Sequence, residues 1–191
     1  MIAMEERKRH LFLTGEIQVG KSTILRHLLE KMDLSPEQAG GFQSEVKILQ
    51  DGRNSVHLVS PAGQDELNEE NCIMIRQPWL PEKSKENRGF PEIFPDVFEK
   101  RGVELLQVKE SHRLILMDEL GVAEREALHF REKVLETLDG PVPVLGVLKK
   151  WEYDFLNQVA EHPAVAVIRV TEENRNEITD LITFTWNLRK H

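Results

Sequence analysis

The chain has 191 residues, of which 33 are acidic and 25 are basic, so its formal net charge is -8. This length predicts one domain, residues 1–191, which can bury a core without a disulfide or a structural metal. An acidic chain without a long basic run lacks the patch that general nucleic-acid binding and anionic membranes require. Its longest apolar runs, such as Val142–Leu148, fall well short of the roughly 20 residues that span a bilayer. The single cysteine, Cys72, forms no internal disulfide, which fits a reducing cytoplasm.

Short β-rich runs alternate with segments of helical period. This alternation predicts an α/β fold with a mostly parallel central sheet flanked by helices. The first strand is His10–Thr14, and the first helix is Lys21–Met32, whose apolar residues recur every three or four positions. Further on, the same patterns predict a helix containing Phe94, Val97, Phe98 and Leu105, a strand Arg113–Met117, a helix Glu124–Leu138, a strand Val142–Leu148, a helix Glu152–Glu161, a strand Ala164–Val170 and a helix Asn174–Leu188.

The region after the first helix has the pattern of a β-hairpin insertion. Gly41–Leu49 and Ser55–Ser60 flank Asp51-Gly52, a dipeptide that favours a tight turn. Cys72–Ile75 is predicted to add another short strand. The stretch Gln77–Pro95 contains four prolines and little periodicity, so it is predicted to be the mobile loop of the chain.

The segment between the first strand and the first helix has a phosphate-binding pattern. It reads Gly15-Glu16-Ile17-Gln18-Val19-Gly20-Lys21-Ser22, with two glycines separated by four residues and followed by lysine and serine. The glycines let the backbone close on a phosphate, which then faces consecutive N–H groups and the helix N-terminus. Lys21 can reach the β- and γ-oxygens, and the Ser22 hydroxyl can bind Mg²⁺. We predict that this segment, continued to Thr23, binds a nucleoside triphosphate, with Mg²⁺ as cofactor.

A second chemical pattern follows the apolar strand near the middle of the chain. The run from His112 to Met117 leads directly into Asp118 and Glu119. An acid at the carboxyl end of a central strand lies where open α/β sheets bind ligands. We predict that Asp118 holds Mg²⁺, directly or through water, and that Glu119 orients or deprotonates the water that attacks the phosphate. Taken alone, two acids after a strand are as often only a solvated strand end, and the phosphate-binding pattern is what favours chemistry.

Further blocks extend these motifs over most of the chain. They are Gly41-Phe42-Gln43-Ser44-Glu45-Val46-Lys47, Asp118-Glu119-Leu120-Gly121 with Glu124, Pro143-Val144-Leu145-Gly146, and Val170-Thr171-Glu172-Glu173-Asn174-Arg175. In this order they resemble the thermophile-type, or cancer-related, nucleoside triphosphatases. The resemblance implies a compact P-loop NTPase fold that slowly hydrolyses several nucleoside triphosphates with Mg²⁺. It also implies that Asn174 and Arg175 contact the nucleotide, although an N-cap on the last helix is an equally good expectation for Asn174.

The chain departs from the pattern of that family in three places. Proline or glycine is usual where this chain has Glu16, Ile17 and Gln18, and a carboxylate there repels a triphosphate unless it points away. A lysine is usual where this chain has Val122, so a cation near the transferred phosphate is missing and slower hydrolysis is expected. Lys47 replaces an expected arginine and keeps the charge but loses the bidentate geometry.

Three functions remain open on this sequence. The first is the Mg²⁺-dependent nucleoside triphosphatase that the resemblance implies, with broad base tolerance. The second is a nucleotide or small-molecule kinase in which Gln77–Pro95 closes over an acceptor and Arg88 serves as its arginine finger. The third is a non-catalytic nucleotide-sensing module, which Glu16 and Val122 favour. Lys149-Lys150-Trp151 either faces phosphate or base or is, at least as readily, a solvated helix start.

Overall fold

The computed structural model describes residues 8–63, 65–77, 90–150 and 153–180. In these ranges the strands are β1 (His10–Thr14), β2 (Ala39–Ile48), β3 (Asn54–Val59), β4 (Cys72–Arg76), β5 (Glu92–Ile93), β6 (Leu114–Leu120), β7 (Val144–Leu148) and β8 (Val165–Arg169). The helices are α1 (Lys21–Met32), α2 (Pro95–Val97), α3 (Val103–Leu105), α4 (Leu128–Asp139) and α5 (Asp154–Glu161). A π-helical turn, Phe98–Gly102, joins α2 to α3, and a 3₁₀ turn, Pro36–Gln38, precedes β2.

The strands form one sheet in the order β5-β4-β3-β2-β6-β7-β1-β8. Pairing is parallel from β2 through β6, β7 and β1 to β8, and antiparallel from β2 through β3 and β4 to β5. The long strand β2 belongs to both halves, because Ala39–Phe42 pair with β6 and Gln43–Ile48 pair with β3. The predicted α/β fold with its hairpin insertion is confirmed, and the hairpin continues the central sheet rather than lying apart from it.

The central strands are covered on both faces. Phe12, Ile115 and Met117 belong to one buried cluster, together with side chains of α4 and α5. Leu11, Leu13, Leu114 and Leu116 belong to the other, together with side chains of α1. Alternate residues of a strand point to opposite faces, so strands buried on both sides appear as continuous apolar runs. Since both faces are filled, the carboxyl-terminal edge of the parallel strands is the place left for a ligand.

Several predicted boundaries are wrong. The helix predicted from Glu124 begins at Leu128, because residues 121–127 form turns in which the Glu124 carboxylate accepts the Gly121 N–H. The helix predicted from Asn174 is a series of turns over 172–177 and is helical at 178–180. Strand β5 lies inside the predicted mobile loop Gln77–Pro95, of which residues 78–89 fall outside the described ranges.

No helix in the described part of the chain is long and apolar enough to cross a membrane.

Candidate active site

The phosphate loop joins β1 to α1 with the backbone geometry that its glycines permit. Gly15 has a φ of 145°, and a Cβ at this position would lie 2.4 Å from the Val170 carbonyl oxygen. Gly20 has a φ of 110° and is the residue immediately before α1. Both positions favour glycine, the first through positive φ and close approach and the second through positive φ. The predicted strand–loop–helix arrangement of Gly15–Thr23 is therefore present.

Lys21 is buried at the start of this helix. Its Nζ donates hydrogen bonds to the carbonyl oxygens of Gly15, at 2.9 Å, and Glu16, at 2.7 Å. Burial lowers the pKa of the Lys21 ammonium, and the carboxylates of Glu119 and Glu16 oppose this shift. The ammonium thus lies against the loop backbone and within electrostatic reach of Glu119, which lies near the end of β6.

Glu16 is exposed and forms a surface ion pair. Its Oε1 lies 3.0 Å from Nζ of Lys150, and the two side chains are 69% and 64% exposed. The hydrogen bond and the positive charge of Lys150 lower the pKa of the Glu16 carboxyl. The carboxylate expected to repel a triphosphate therefore has a cationic partner outside the loop. Its neighbours Ile17 and Gln18 are also exposed, whereas Val19 is buried.

Asp118 and Glu119 lie near the carboxyl end of β6 and line a cavity of about 160 Å³. The lining also includes Ser22 from the start of α1, so the structure brings the phosphate loop and the two acids to one place. Ser44 of β2 faces the same cavity and donates a hydrogen bond from Oγ to the Asp118 carbonyl oxygen at 2.8 Å. The two motifs recognised in the sequence therefore form one site.

Two carboxyl groups of the cavity, those of Asp118 and Glu124, have raised pKa values. Burial, followed by the charge of Glu119, raises the pKa of Asp118 to about 6, and Lys149 opposes the shift. Burial raises the pKa of Glu124 to about 7, although its carboxylate accepts the N–H of Gly121. Lys149 lies within 2.7 Å of Glu119, measured from Nζ to Oε1. The cavity is thus an acidic site with one closely paired cation.

This donor set fits a divalent cation of the Mg²⁺ type. Ser22 and Asp118 contribute hydroxyl and carboxylate oxygens to the same cavity, and oxygen is the ligand atom that Mg²⁺ prefers. The raised pKa of Asp118 indicates an incompletely compensated negative charge, which a cation would stabilise. The described residues contain no group of three or more histidine, cysteine or acidic side chains arranged around a metal. Mg²⁺ commonly binds through one or two protein ligands, substrate phosphates and water, so Ser22 and Asp118 suffice.

A groove of about 560 Å³ lies beside the phosphate loop. Its lining combines the start of α1 with the segment after β8, through Gly20, Thr23, His27, Lys31, Arg175 and Asp180. Arg175 is exposed, and a Cβ on Gly20 would lie 3.8 Å from its Cδ. The salt bridge from Lys31 Nζ to Asp180 Oδ1, 2.6 Å long, connects the two segments. The structure therefore brings the predicted residue Arg175 to the phosphate loop.

Asn174 has a different local role from the helix cap considered for it. Its Oδ1 accepts the Thr171 N–H at 2.8 Å, and its Nδ2 donates to the Arg169 carbonyl oxygen at 2.9 Å. The side chain therefore fastens the turn after β8 and does not bond the first turn of a helix. In this position Asn174 fixes the backbone that carries Arg175.

Four polar or charged residues of the cavity lining were not among the predicted site residues: Ser44, Arg76, Glu124 and Lys149. Each comes from a different element than the two motifs, or from the turn after them. The available signal was positional, since Lys149 directly follows β7 and polar residues after central strands face the ligand edge. Lys47 and Val122, by contrast, are exposed and are not part of the cavity lining.

The fold, the glycine geometry and the two acids define a P-loop α/β nucleotide-binding protein. The family model described as NTPase matches residues 10–183 of the chain. Nucleoside-triphosphatase THEP1 of Thermotoga sp. (strain RQ2) is 26% identical over 173 residues, which are 90% of this chain and 92% of that protein. The cancer-related nucleoside-triphosphatase homolog of Mus musculus is 28% identical over 181 residues, 89% of this chain and 92% of that protein.

A solved structure agrees with these relatives. The solution structure of a human cancer-related nucleoside triphosphatase superimposes with a TM-score of 0.66 at 26% identity, covering 95% of this chain and all of that chain. The chain belongs to the NTPase family, as the resemblance noted in the sequence predicts.

Proposed function

We propose that the protein is a Mg²⁺-dependent nucleoside triphosphatase that converts nucleoside triphosphates into diphosphates and phosphate. The observation that carries this proposal is the shared cavity, in which Ser22 of the phosphate loop meets Asp118 and Glu119 of β6. Family membership supports the same class of reaction. We further propose that residues 1–191 act as one domain and that the enzyme works in the cytoplasm, where the buried thiol of Cys72 stays reduced.

The roles of the residues follow from their positions. Loop N–H groups and Lys21 hold the β- and γ-phosphates and stabilise the charge of the transition state. Ser22 and Asp118 would hold Mg²⁺, which neutralises phosphate charge when bound. Glu119 accepts a proton from water as the water oxygen bonds to the γ-phosphorus. The bond from that phosphorus to the bridging oxygen breaks, and its electron pair remains on the β-phosphate.

The groove beside the loop is proposed to receive the ribose and base. It begins at Gly20 and Thr23, and Arg175 with Lys31 provides cations along it. The sequence has no Asn-Lys-x-Asp motif of the kind that reads one base. We therefore propose that Asn174 orients Arg175 toward the nucleotide and that several bases are accepted.

The test is phosphate release from ATP, GTP, CTP and UTP, in Mg²⁺ and in EDTA, with equilibrium binding of the same nucleotides. Release from several triphosphates that needs Mg²⁺ and disappears in Lys21→Ala supports the proposal. Phosphate release that continues in EDTA contradicts the proposed Mg²⁺ dependence. Release from only one of the four triphosphates contradicts the proposed base tolerance. Tight binding without release contradicts hydrolysis and leaves the sensing module. Consumption of triphosphate that needs an acceptor, and that yields diphosphate and the phosphorylated acceptor in place of free phosphate, identifies a kinase.

Glu16 and Val122 are the two departures from the family pattern that favour a sensing module. At Glu16, the structure supports hydrolysis instead. The carboxylate of Glu16 is paired with Lys150, so the loop does not present it as an isolated charge. For the kinase, the lid residue Arg88 lies outside the described ranges and adds no support.

A further inference from the structure

The residue after β7 lies between the two halves of the site. β7 pairs with β1, which leads into the phosphate loop, and with β6, which carries the acids. Lys149 directly follows β7, and its N–H donates to the Leu120 carbonyl oxygen at 2.8 Å. Carboxyl ends of parallel strands meet at the ligand edge of an open sheet. The backbone therefore fixes Lys149 between Lys21 and the pair Asp118 and Glu119.

The side chain of Lys149 is held as well. A Cβ on Gly121 would lie 2.7 Å from Cδ of Lys149, so the lysine stem packs against the backbone where Gly121 has no side chain. At its end, Nζ lies 2.7 Å from Oε1 of Glu119. The lysine side chain is only 35% exposed. This fixed ammonium also acts on the surrounding groups, because its charge opposes the raised pKa of both Asp118 and Glu124.

The next residue shows that this arrangement is not a general property of the segment. Lys150 pairs with Glu16 at 3.0 Å, but both of those side chains are more than half exposed. Exposed ion pairs of that kind contribute little to the stability of the folded protein. Lys149 is the lysine of the two that lines the acidic cavity.

We propose that Lys149 is a catalytic residue that binds the γ-phosphate. In the nucleotide-free enzyme its ammonium pairs with Glu119. When a triphosphate binds, the ammonium transfers to the γ-phosphate oxygens, whose greater negative charge attracts it more strongly than one carboxylate does. Lys149 thereby stabilises the transferred group and frees Glu119 to accept the proton of water. This inference rests on the proposed function, and it makes activation of the base depend on the γ-phosphate.

The chemistry of the step stays balanced. Lys149 keeps its proton and only exchanges one anionic partner for another. The proton of the attacking water goes to Glu119, and the leaving electron pair goes to the β-phosphate.

The test compares Lys149→Met with Lys133→Met in single-turnover phosphate release at saturating Mg²⁺ and ATP. Lys133 is the matched control, because it forms a lysine–glutamate pair with Glu136 at 3.0 Å on α4, where neither residue lines the cavity. We expect Lys149→Met to slow release by about 100-fold, the typical effect of losing one transition-state donor. Affinity for ADP should change less than about twofold, because ADP has no γ-phosphate. Lys133→Met should match the wild type.

Two further measurements separate a direct contact from an indirect one. The assay is repeated at pH 6.5 and 8.5, because Asp118 has a pKa of about 6 that Lys149 opposes. A loss confined to pH 6.5 means that Lys149 only keeps Asp118 ionised, which overturns the proposal. Ethylammonium added to Lys149→Ala should restore part of the lost rate, whereas tetramethylammonium, which has no N–H donor, should not.

The outcomes also separate this inference from the proposed function. If the wild type releases phosphate and Lys149→Met stays within threefold of it, the Lys149 proposal is wrong and hydrolysis stands. Faster release by Lys149→Met also overturns it, because the lysine then only restrains Glu119. If the wild type releases no more phosphate than Lys21→Ala, both proposals fail. Lys149→Arg, which keeps the charge, serves as the second variant if Lys149→Met unfolds.

Discussion

The phosphate loop and the acidic cavity meet at one edge of the sheet, yet they are built differently. The loop is a run of consecutive residues whose shape depends on Gly15 and Gly20. The cavity is assembled from α1, strands β2, β3, β4 and β6, the π-helical turn, the turn after β6 and the residue after β7. The loop places Glu16 in water beside a surface lysine, whereas the cavity buries the carboxyl groups of Asp118 and Glu124 and raises their pKa values. Local backbone geometry therefore creates the first region, and long-range packing creates the electrostatics of the second.

The largest effect is expected in the loop itself. Lys21→Ala removes the ammonium that lies against the loop carbonyls, so phosphate release should fall at least about 1,000-fold. The fold should persist, because this residue belongs to neither apolar cluster. Phosphate-release assays measure the activity, and circular dichroism with thermal unfolding measures whether the fold persists. Unchanged hydrolysis by a clean preparation of Lys21→Ala would contradict the assignment of Gly15–Thr23 as the phosphate-binding loop.

The next largest effect is expected in the cavity, at Glu119, the proposed general base. Glu119→Gln should slow release at least about 100-fold, the usual contribution of a general base. Affinity for Mg²⁺ and nucleotide should remain within about threefold, because Asp118 and the loop are intact. Calorimetric titration and single-turnover release are the measurements. A variant with normal turnover shows that another group activates the water.

Buried Glu124 in the cavity predicts that the stability of the protein depends on pH. Its folded-state pKa of about 7 exceeds its ordinary 4.5, so between these values the folded protein binds more protons than the unfolded chain. The contribution of Glu124 is therefore present at low pH and is lost as pH rises from about 4.5 to about 7. Glu124→Gln should remove this fall, which we expect to be about 3 kcal/mol.

Urea unfolding in EDTA from pH 4.5 to 8 measures the effect. Glu132→Gln, an exposed acid on α4, is the control and should follow the wild-type curve. Parallel curves for Glu124→Gln and the wild type mean that Glu124 is already solvated when the protein is folded.

The smallest effect is expected for the exposed acid of the loop. Glu16→Gln should change ATP affinity less than about threefold, because the carboxylate is solvated and paired with Lys150. Glu119→Gln is the variant to compare with it, since both substitutions replace a carboxylate near the phosphates. A tenfold gain in affinity indicates instead that Glu16 repels the triphosphate, as its sequence position suggested.

Elements with strong local signals were predicted to the residue. β1 and α1 match because the glycine pattern defines their shared boundary and the apolar spacing of α1 is regular. The predicted starts at Glu124 and Asn174 were wrong because both side chains bond nearby backbone, which turns the chain before helix begins. The dual pairing of β2 had no local signal, since one extended run looks the same with either partner.

The sequence by itself determined the fold class, the phosphate loop and the two acids, because glycine conformation and apolar periodicity act over a few residues. Tertiary structure alone decided that β7 lies between β1 and β6 and that Lys149 meets Glu119. It also decided that Glu124 is buried and that Glu16 has a partner at Lys150. Charge pairing and desolvation depend on atoms brought together from distant parts of the chain, and only the packed sheet brings them together.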